Sequence, residues 1–443
     1  MRKSNEWIVG KLRGMVFCDA VEEKYKSRPT DFSRTRILPF SLLVLFMLRK
    51  LYRSLSLELS SFFEGLGQPG SRPCTVPTKS AFTQARAKLS PQFFADMLAR
   101  FNQEFYSDND ERVKLFLGFR LLAVDGSTLD MPDSPELKGH FGTTSNQHRQ
   151  VRYCKARVSL LYDVANQLVV DARLQPFSQG EPGAALAHLS HCQKGDLLLF
   201  DRGYASYELI NALRQAKLHL LMRVKVGFSN VVKSFAHSAA RDKLVLIHPG
   251  KNAPMQDMQD KPYSRQHSRV VRLVKGRLPG SQQEFVLLTS LLDKKKYPVN
   301  GLLQAYQQRW QVETAYDIVK NVLQVECFSG YSLKAIEQDF FISLLLLNLK
   351  SLLSEGLEEE LQKHYGQRKH RYQVNASLAI GQLKNQVVQL FTTQGTLAII
   401  DYLQQSFLRY VEPVRANRSY PRNPDKYRQR KKPLLFNNRK PVL

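Results

Sequence analysis

The chain is 443 residues long and 43% hydrophobic, enough to bury more than one core and too apolar for a disordered polymer. Lysine and arginine total 65 against 39 acidic residues, a formal charge of +26, which points to a polyanionic partner, nucleic acid ahead of an anionic membrane. The apolar runs at 37–48 and 340–349 are too short to span a bilayer and the chain opens with no secretory pattern, so a cytoplasmic protein without a membrane partner is expected.

Residues 1–112 read as a helical N-terminal region. After Pro77, Thr78 can cap a helix whose apolar side is Phe82, Ala85 and Leu89, with Gln84 and Lys88 exposed and Lys79 and Arg86 on its shoulders. This is the segment expected to bind DNA ends, as a recognition helix or as an ordinary solvated helix of a bundle. Five cysteines, Cys18, Cys74, Cys154, Cys192 and Cys327, include no Cys-x2-Cys pair, which argues against zinc, against a disulfide framework and for a reducing compartment.

From 113 to 205 the pattern becomes strand-rich. Segments 121–125, 157–163 and 167–174 read as successive strands, followed by a helix over 182–192 and a strand over 197–201. Three antiparallel strands, a helix and a returning strand open a ribonuclease H-like α/β fold. Two of these strands end in an aspartate followed within two residues by glycine, Val124-Asp125-Gly126-Ser127 and Phe200-Asp201-Arg202-Gly203-Tyr204, which is how a buried strand delivers a carboxylate to a sheet's lip. Asp163 also ends an apolar run, but the second strand of an antiparallel hairpin finishes at the far edge from Asp125. Asp130, Asp133, Asp171 and Asp196 read as turn or surface residues.

Residues 206–300 are too long for a connection and predict a β-rich insertion subdomain, with a helix over 206–218 and strands over 219–226, 244–248, 269–275 and 284–290. Arg223 and Lys225 are candidate phosphate contacts there. Phe228, Tyr263 and Phe285 are candidate stacking residues, although residues of this kind are more often core. The segment 301–355 returns to helix. At about 100° per residue, Tyr306, Arg309, Glu313 and Lys320 fall within an arc of roughly 60°, opposite Val312, Ala315, Ile318, Val319 and Val322. Trp310 lies on the shoulder of that polar face. A buried helix over 336–353, expected against the sheet, precedes a helical C-terminal region, 356–443, that ends in a basic tail including 427–432.

Asp125, Asp201 and Glu313 together make a candidate catalytic and metal-binding set. Hard carboxylate oxygens suit Mg²⁺ or Mn²⁺, and a pair of such ions can activate water and stabilise a leaving oxygen in phosphodiester cleavage. Asp317, one turn beyond Glu313, is the rival on the same helix.

The Tyr-x2-Arg-x3-Glu-x6-Lys spacing, with aspartates in Val-Asp-Gly-Ser and Phe-Asp-Arg-Gly-Tyr contexts, resembles the DDE transposases of bacterial insertion sequences, the insertion-sequence-four group to which the Tn-five transposase belongs. The resemblance covers roughly 110–350. It implies a ribonuclease H-like core interrupted by a β-rich insertion, terminal-repeat binding by the N-terminal region, and Tyr306, Arg309 and Lys320 holding transposon-end phosphates. Trp310 follows Arg309 as in that group and is a further candidate DNA contact. It also implies metal-dependent cleavage and strand transfer on double-stranded transposon-end and target DNA, with a homodimer at synapsis. No nucleotide-binding loop is evident, so no nucleotide cofactor is expected. Two other readings are a DNA-binding protein with a dead nuclease core and a ribonuclease H-like nuclease or resolvase without strand transfer.

Overall fold

The computed structural model describes residues 2–34, 37–51, 53–66, 75–107, 112–146, 149–249, 268–277, 283–393 and 395–414. Cys74, Tyr263 and the basic tail lie outside them. The chain opens with α1 (Arg2–Phe17), α2 (Asp19–Tyr25), α3 (Phe40–Leu48), α4 (Leu55–Leu66), α5 (Lys79–Ala87) and α6 (Gln92–Ser107). Strands then dominate: β1 (Leu121–Asp130), α7 (Pro135–Phe141), β2 (Thr143–Asn146), β3 (Arg149–Asp163), β4 (Leu168–Pro176), α8 (Glu181–Ala187), β5 (Leu197–Phe200), α9 (Tyr207–Gln215) and β6 (His219–Val224). Next come α10 (Asn230–His237), β7 (Asp242–Ile247), β8 (Arg269–Arg277) and β9 (Glu284–Thr289). The chain finishes through α11 (Val299–Gln308), α12 (Gln311–Asp317), α13 (Leu333–Ser354), α14 (Leu357–Tyr365), β10 (Arg371–Val374), α15 (Ala376–Thr392), α16 (Leu397–Arg409) and β11 (Val411–Val414).

These elements form two compact units. One comprises Met1–Arg112, Leu129–Ala156 and Tyr316–Leu443; the other comprises Val113–Thr128 and Arg157–Ala315.

In the second unit the strand order is β4-β3-β1-β5-β6-β9-β8-β7. β1 pairs in parallel with β5 from Leu121↔Leu197 to Val124↔Phe200, and β5 pairs in parallel with β6. β5 is Leu197-Leu198-Leu199-Phe200, with every side chain fully buried, as expected of a parallel strand covered on both faces. β9 returns antiparallel on β6, and β8 and β7 follow antiparallel. The strand at 219–224 belongs beside β5 in the core, and the later strands of the anticipated insertion extend the same sheet. Residue patterning alone does not tell a strand that starts a new sheet from one that joins an existing edge. Buried Arg272 ties β8 to β7 through two 2.9 Å bonds to Asp242.

The first unit is mostly helical. Thr78 caps α5 as expected, its hydroxyl accepting from the Ala81 N–H at 3.2 Å. α13 is buried along almost its whole length and packs among α6, α15, α16 and α3 in a helical core. Arg86 belongs to the same core. It is only 4% exposed, donating to Gln338 at 2.9 Å and Asp339 at 3.1 Å, and is thereby withdrawn from any DNA-facing side of α5. Among the described residues no single helix is long and apolar enough to cross a membrane.

Candidate active site

The parallel register fixes the first two carboxylates. Val124 and Phe200 are partners across β1 and β5, so Asp125 and Asp201 are the next residues on adjacent strands, with backbones about 5 Å apart by ordinary strand spacing. Asp163 sits at the other end of its strand, where the Val164 N–H donates to Leu121, the first residue of β1. Its buried carboxylate accepts from Ala165 N, Asn166 N and Asn166 Nδ2 and shapes the turn after β3. Asp171 and Asp196, expected at turns or the surface, are instead held in pairs, Asp196 with Arg120 and Asp171 with Arg173 and His188.

The third carboxylate comes from the helical segment, which is not the single helix expected. α11 ends at Gln308 and α12 begins at Gln311. Between them the Arg309 and Trp310 N–H groups donate to Tyr306 and Gln307, three residues back. This tightened turn breaks the 100° phase relation between Tyr306 and Glu313. Tyr306 is 4% exposed, its ring 6.0 Å from that of Phe285, and burial pushes its hydroxyl up to about 12. Trp310, by contrast, is 52% exposed with the Arg309 guanidinium 5.7 Å from its ring centre.

Arg309 is the residue that joins the carboxylates. Its Nη2 donates to Glu313 Oε1 at 3.1 Å and its Nη1 lies 4.0 Å from Asp125 Oδ2, although Arg309 itself is nearly buried. Burial pushes the Asp125 carboxyl up to about 6; Arg309 and the Gly126 N–H oppose that rise, while Glu313 and Asp201 add repulsion. Asp201, Asp125 and Glu313 also lie within electrostatic reach of the Arg309 guanidinium.

Lys320 falls in the first unit, in a π-helical turn at Ile318–Val322, where burial lowers the pKa of its ammonium and Glu326 and Asp130 oppose the shift. Asp317 is in that unit too, accepting from Asn321 at 2.6 Å, a local role that weakens it as the rival of Glu313. Arg223 stacks over Phe285 at 5.3 Å and, with Lys225, Arg202 and Lys275, lines a basic cavity of about 340 Å³.

Oxygen-only carboxylates around a half-buried centre form a donor set that fits a hard divalent cation. Among the described residues, however, no three acidic, histidine or cysteine side chains are drawn together at ligating distances. The positive charge between Asp125 and Glu313 is that of Arg309. Elsewhere in the unit, Ser159, His188 and Asp171 form a hydrogen-bonded chain of 2.9 and 2.7 Å. Ser159 is 1% exposed and His188 is fully buried, so the hydroxyl has no access to a substrate and the chain serves packing.

Sequence reasoning missed Glu181, Arg157 and Tyr204. Glu181 pairs with Arg157 at 3.0 Å and lies against Gly126 and Gly203, the glycines that follow Asp125, which lies inside β1 rather than at its end as expected, and Asp201, just after β5. Those glycines were the available signal, because a small residue beside a functional side chain often marks a close approach.

The family model for the transposase DDE domain matches residues 117–349. The transposase InsG for insertion sequence element IS4 of Escherichia coli K12 is 24% identical over 299 residues, 67% of this chain and 65% of that one. A putative transposase of the same organism, InsZ, is 26% identical over 155 residues, covering 34% of this chain and 50% of its own length. This chain thus spans between half and two thirds of the relatives it matches. Among solved structures, a piggyBac transposase synaptic complex with hairpin DNA aligns over 90% of this chain and 81% of its own, at 11% identity and a TM-score of 0.42, too low to define a shared fold.

Proposed function

Since this chain belongs to the transposase DDE domain family, whose model spans just over half of it, we propose that it is a DNA transposase that cuts at the ends of an insertion sequence and joins them to target DNA. The strand order β4-β3-β1-β5-β6, with β5 and β6 parallel to β1, supports a ribonuclease H-like reading of its core. The observation that carries the functional reading is the shared Arg309 contact to Asp125 and Glu313, beside an Asp201 brought level with Asp125 by the β1–β5 register.

In this reading Asp125, Asp201 and Glu313 hold one or two divalent cations, Mg²⁺ or Mn²⁺. When bound, these ions supply charge neutralisation at the scissile phosphate and acidify the attacking oxygen. Arg309, with its forked guanidinium, holds a non-bridging phosphate oxygen in line, and Tyr306 closes the wall behind it. Water attacks phosphorus and the P–O3′ bond breaks, leaving a free 3′ hydroxyl on the element. That hydroxyl then attacks a target phosphodiester, forming a new P–O3′ bond and releasing the target's own 3′ hydroxyl. Lys320, Trp310, Arg223 and Lys225 contribute phosphate contacts, and two copies of the chain meet on paired ends.

Labelled terminal-repeat DNA incubated with the protein, Mg²⁺ and a target plasmid tests this. Cleaved and joined products are expected. Binding alone would indicate a dead nuclease core, and cleavage without joining a nuclease or resolvase.

A further inference from the structure

The backbone segments that carry Asp125, within β1, and Asp201, just after β5, are bridged by a side chain with no assigned role. A Cβ on Gly126 would meet the Glu181 Cγ and Oε1 at 3.1 Å and its Cδ at 3.2 Å, and one on Gly203 would lie 3.8 Å from Oε2. The Glu181 carboxylate is therefore wedged between the residue after Asp125 and the second residue after Asp201. A Cβ on Gly126 would press Glu181 aside by a few tenths of an ångström, whereas one on Gly203 would make ordinary van der Waals contact.

One neighbour, Arg157, bonds it there, and a second, Tyr204, lies within electrostatic reach. Arg157, on β3, donates from Nη1 to Oε1 at 3.0 Å and stacks over Phe177 at 5.4 Å. Tyr204, three residues after Asp201, is 1% exposed, and its hydroxyl has no hydrogen-bond partner among the described residues. The charged groups around that hydroxyl are Glu181, Asp125, Arg157 and Asp201. A buried phenol with an unmet donor is unfavourable until that donor finds an acceptor. The tyrosine is anchored by its own N–H, which donates to the Asp201 carbonyl at 3.1 Å, so the phenol and the second aspartate move as one turn.

We propose that Glu181, braced by Arg157 and Tyr204, is a positioning residue that sets the separation of the Asp125 and Asp201 carboxylates and thereby the affinity of the site for a divalent cation. The proposal rests on the reading of those aspartates as cation ligands. Outer residues that orient ligating carboxylates typically change metal affinity 10- to 100-fold when removed. Glu181 supplies rigidity: one oxygen is committed to Arg157, and its stem packs against Gly126, the residue after Asp125. Tyr204 supplies the donor that meets a carboxylate oxygen when the site tightens.

The test is Mn²⁺ binding to the full chain without DNA, read as free Mn²⁺ by electron paramagnetic resonance, for the parent, Glu181→Gln, Tyr204→Phe, Gly126→Ala and Asp125→Asn. Tyr204→Phe removes one unpartnered oxygen and leaves the packing intact, and Gly126→Ala perturbs the site only by displacing Glu181, since the backbone there is open to any residue. About tenfold weaker Mn²⁺ binding is expected in Glu181→Gln and Gly126→Ala, and about threefold in Tyr204→Phe, with the thermal midpoint of Tyr204→Phe unchanged. In cleavage assays the half-saturating Mn²⁺ concentration rises by the same factors, while the rate at saturating metal returns to within about twofold of the parent. Parent-like titrations for Glu181→Gln and Tyr204→Phe, with binding lost in Asp125→Asn, would overturn this proposal alone. A parent-like titration for Asp125→Asn would overturn the ligand reading and this proposal with it.

Discussion

The Arg309 guanidinium donates to the Glu313 carboxylate at 3.1 Å across the break between α11 and α12. Its other terminal nitrogen lies 4.0 Å from Asp125, so a single buried cation balances two of the three acidic groups. Under the proposed function, Arg309 would trade those carboxylates for a DNA phosphate and leave them to a divalent ion.

Removing that guanidinium separates its two roles. Arg309→Ala is expected to strengthen Mn²⁺ binding to the DNA-free protein about fivefold, because a competing charge within 4.0 Å of Asp125 is gone. The same variant should cleave about 100-fold more slowly, because the phosphate loses its fork. Metal titration and single-turnover cleavage on the same preparations check both effects.

Arg86 provides a stability prediction. Its side chain and that of Asp339 are about 95% buried and joined at 3.1 Å, with Gln338 and Ser329 completing the network. Arg86→Met should cost about 3–5 kcal/mol by stranding a buried carboxylate, and adding Asp339→Leu should recover part of the loss. Denaturant midpoints measure this. Were α5 to use Arg86 on DNA, the single variant would lower DNA affinity at an unchanged midpoint.

What was and was not legible in the sequence follows from the range of the interactions. Asp125 and Asp201 were readable because each ends an apolar run before a glycine, a local pattern, and parallel pairing then sets them side by side. The turn at Arg309 and Trp310 was not, because no proline or glycine interrupts that stretch and the amphipathic pattern runs through it. Arg86 looked like a helix shoulder because its partners lie some 250 residues away on α13. The strands β7, β8 and β9 were found as strands, but which sheet they join depends on hydrogen bonds made after the chain has returned.

A pH dependence arises at Lys384 on α15, whose pKa is lowered to about 7 by burial and by Lys50, Arg53 and Arg49, against the pull of Glu58. The unfolded chain keeps that proton up to about 10.5. Between these values the unfolded state binds more protons, so stability from this group is lowest below pH 7 and rises toward pH 10. Lys384→Met should raise stability at pH 7 by about 1–3 kcal/mol and flatten that rise. Thermal midpoints of parent and variant across pH 6–10 test it, and parallel curves would count against a buried ammonium.

The most direct measurement is cleavage of a labelled terminal-repeat duplex in Mg²⁺ by Asp125→Asn, Asp201→Asn and Glu313→Gln, with DNA affinity determined on the same samples. Each substitution is expected to reduce cleavage by about 10³-fold or more while affinity stays within about twofold of the parent. Parent-like cleavage by any one of the three would contradict the assignment of that carboxylate to the site.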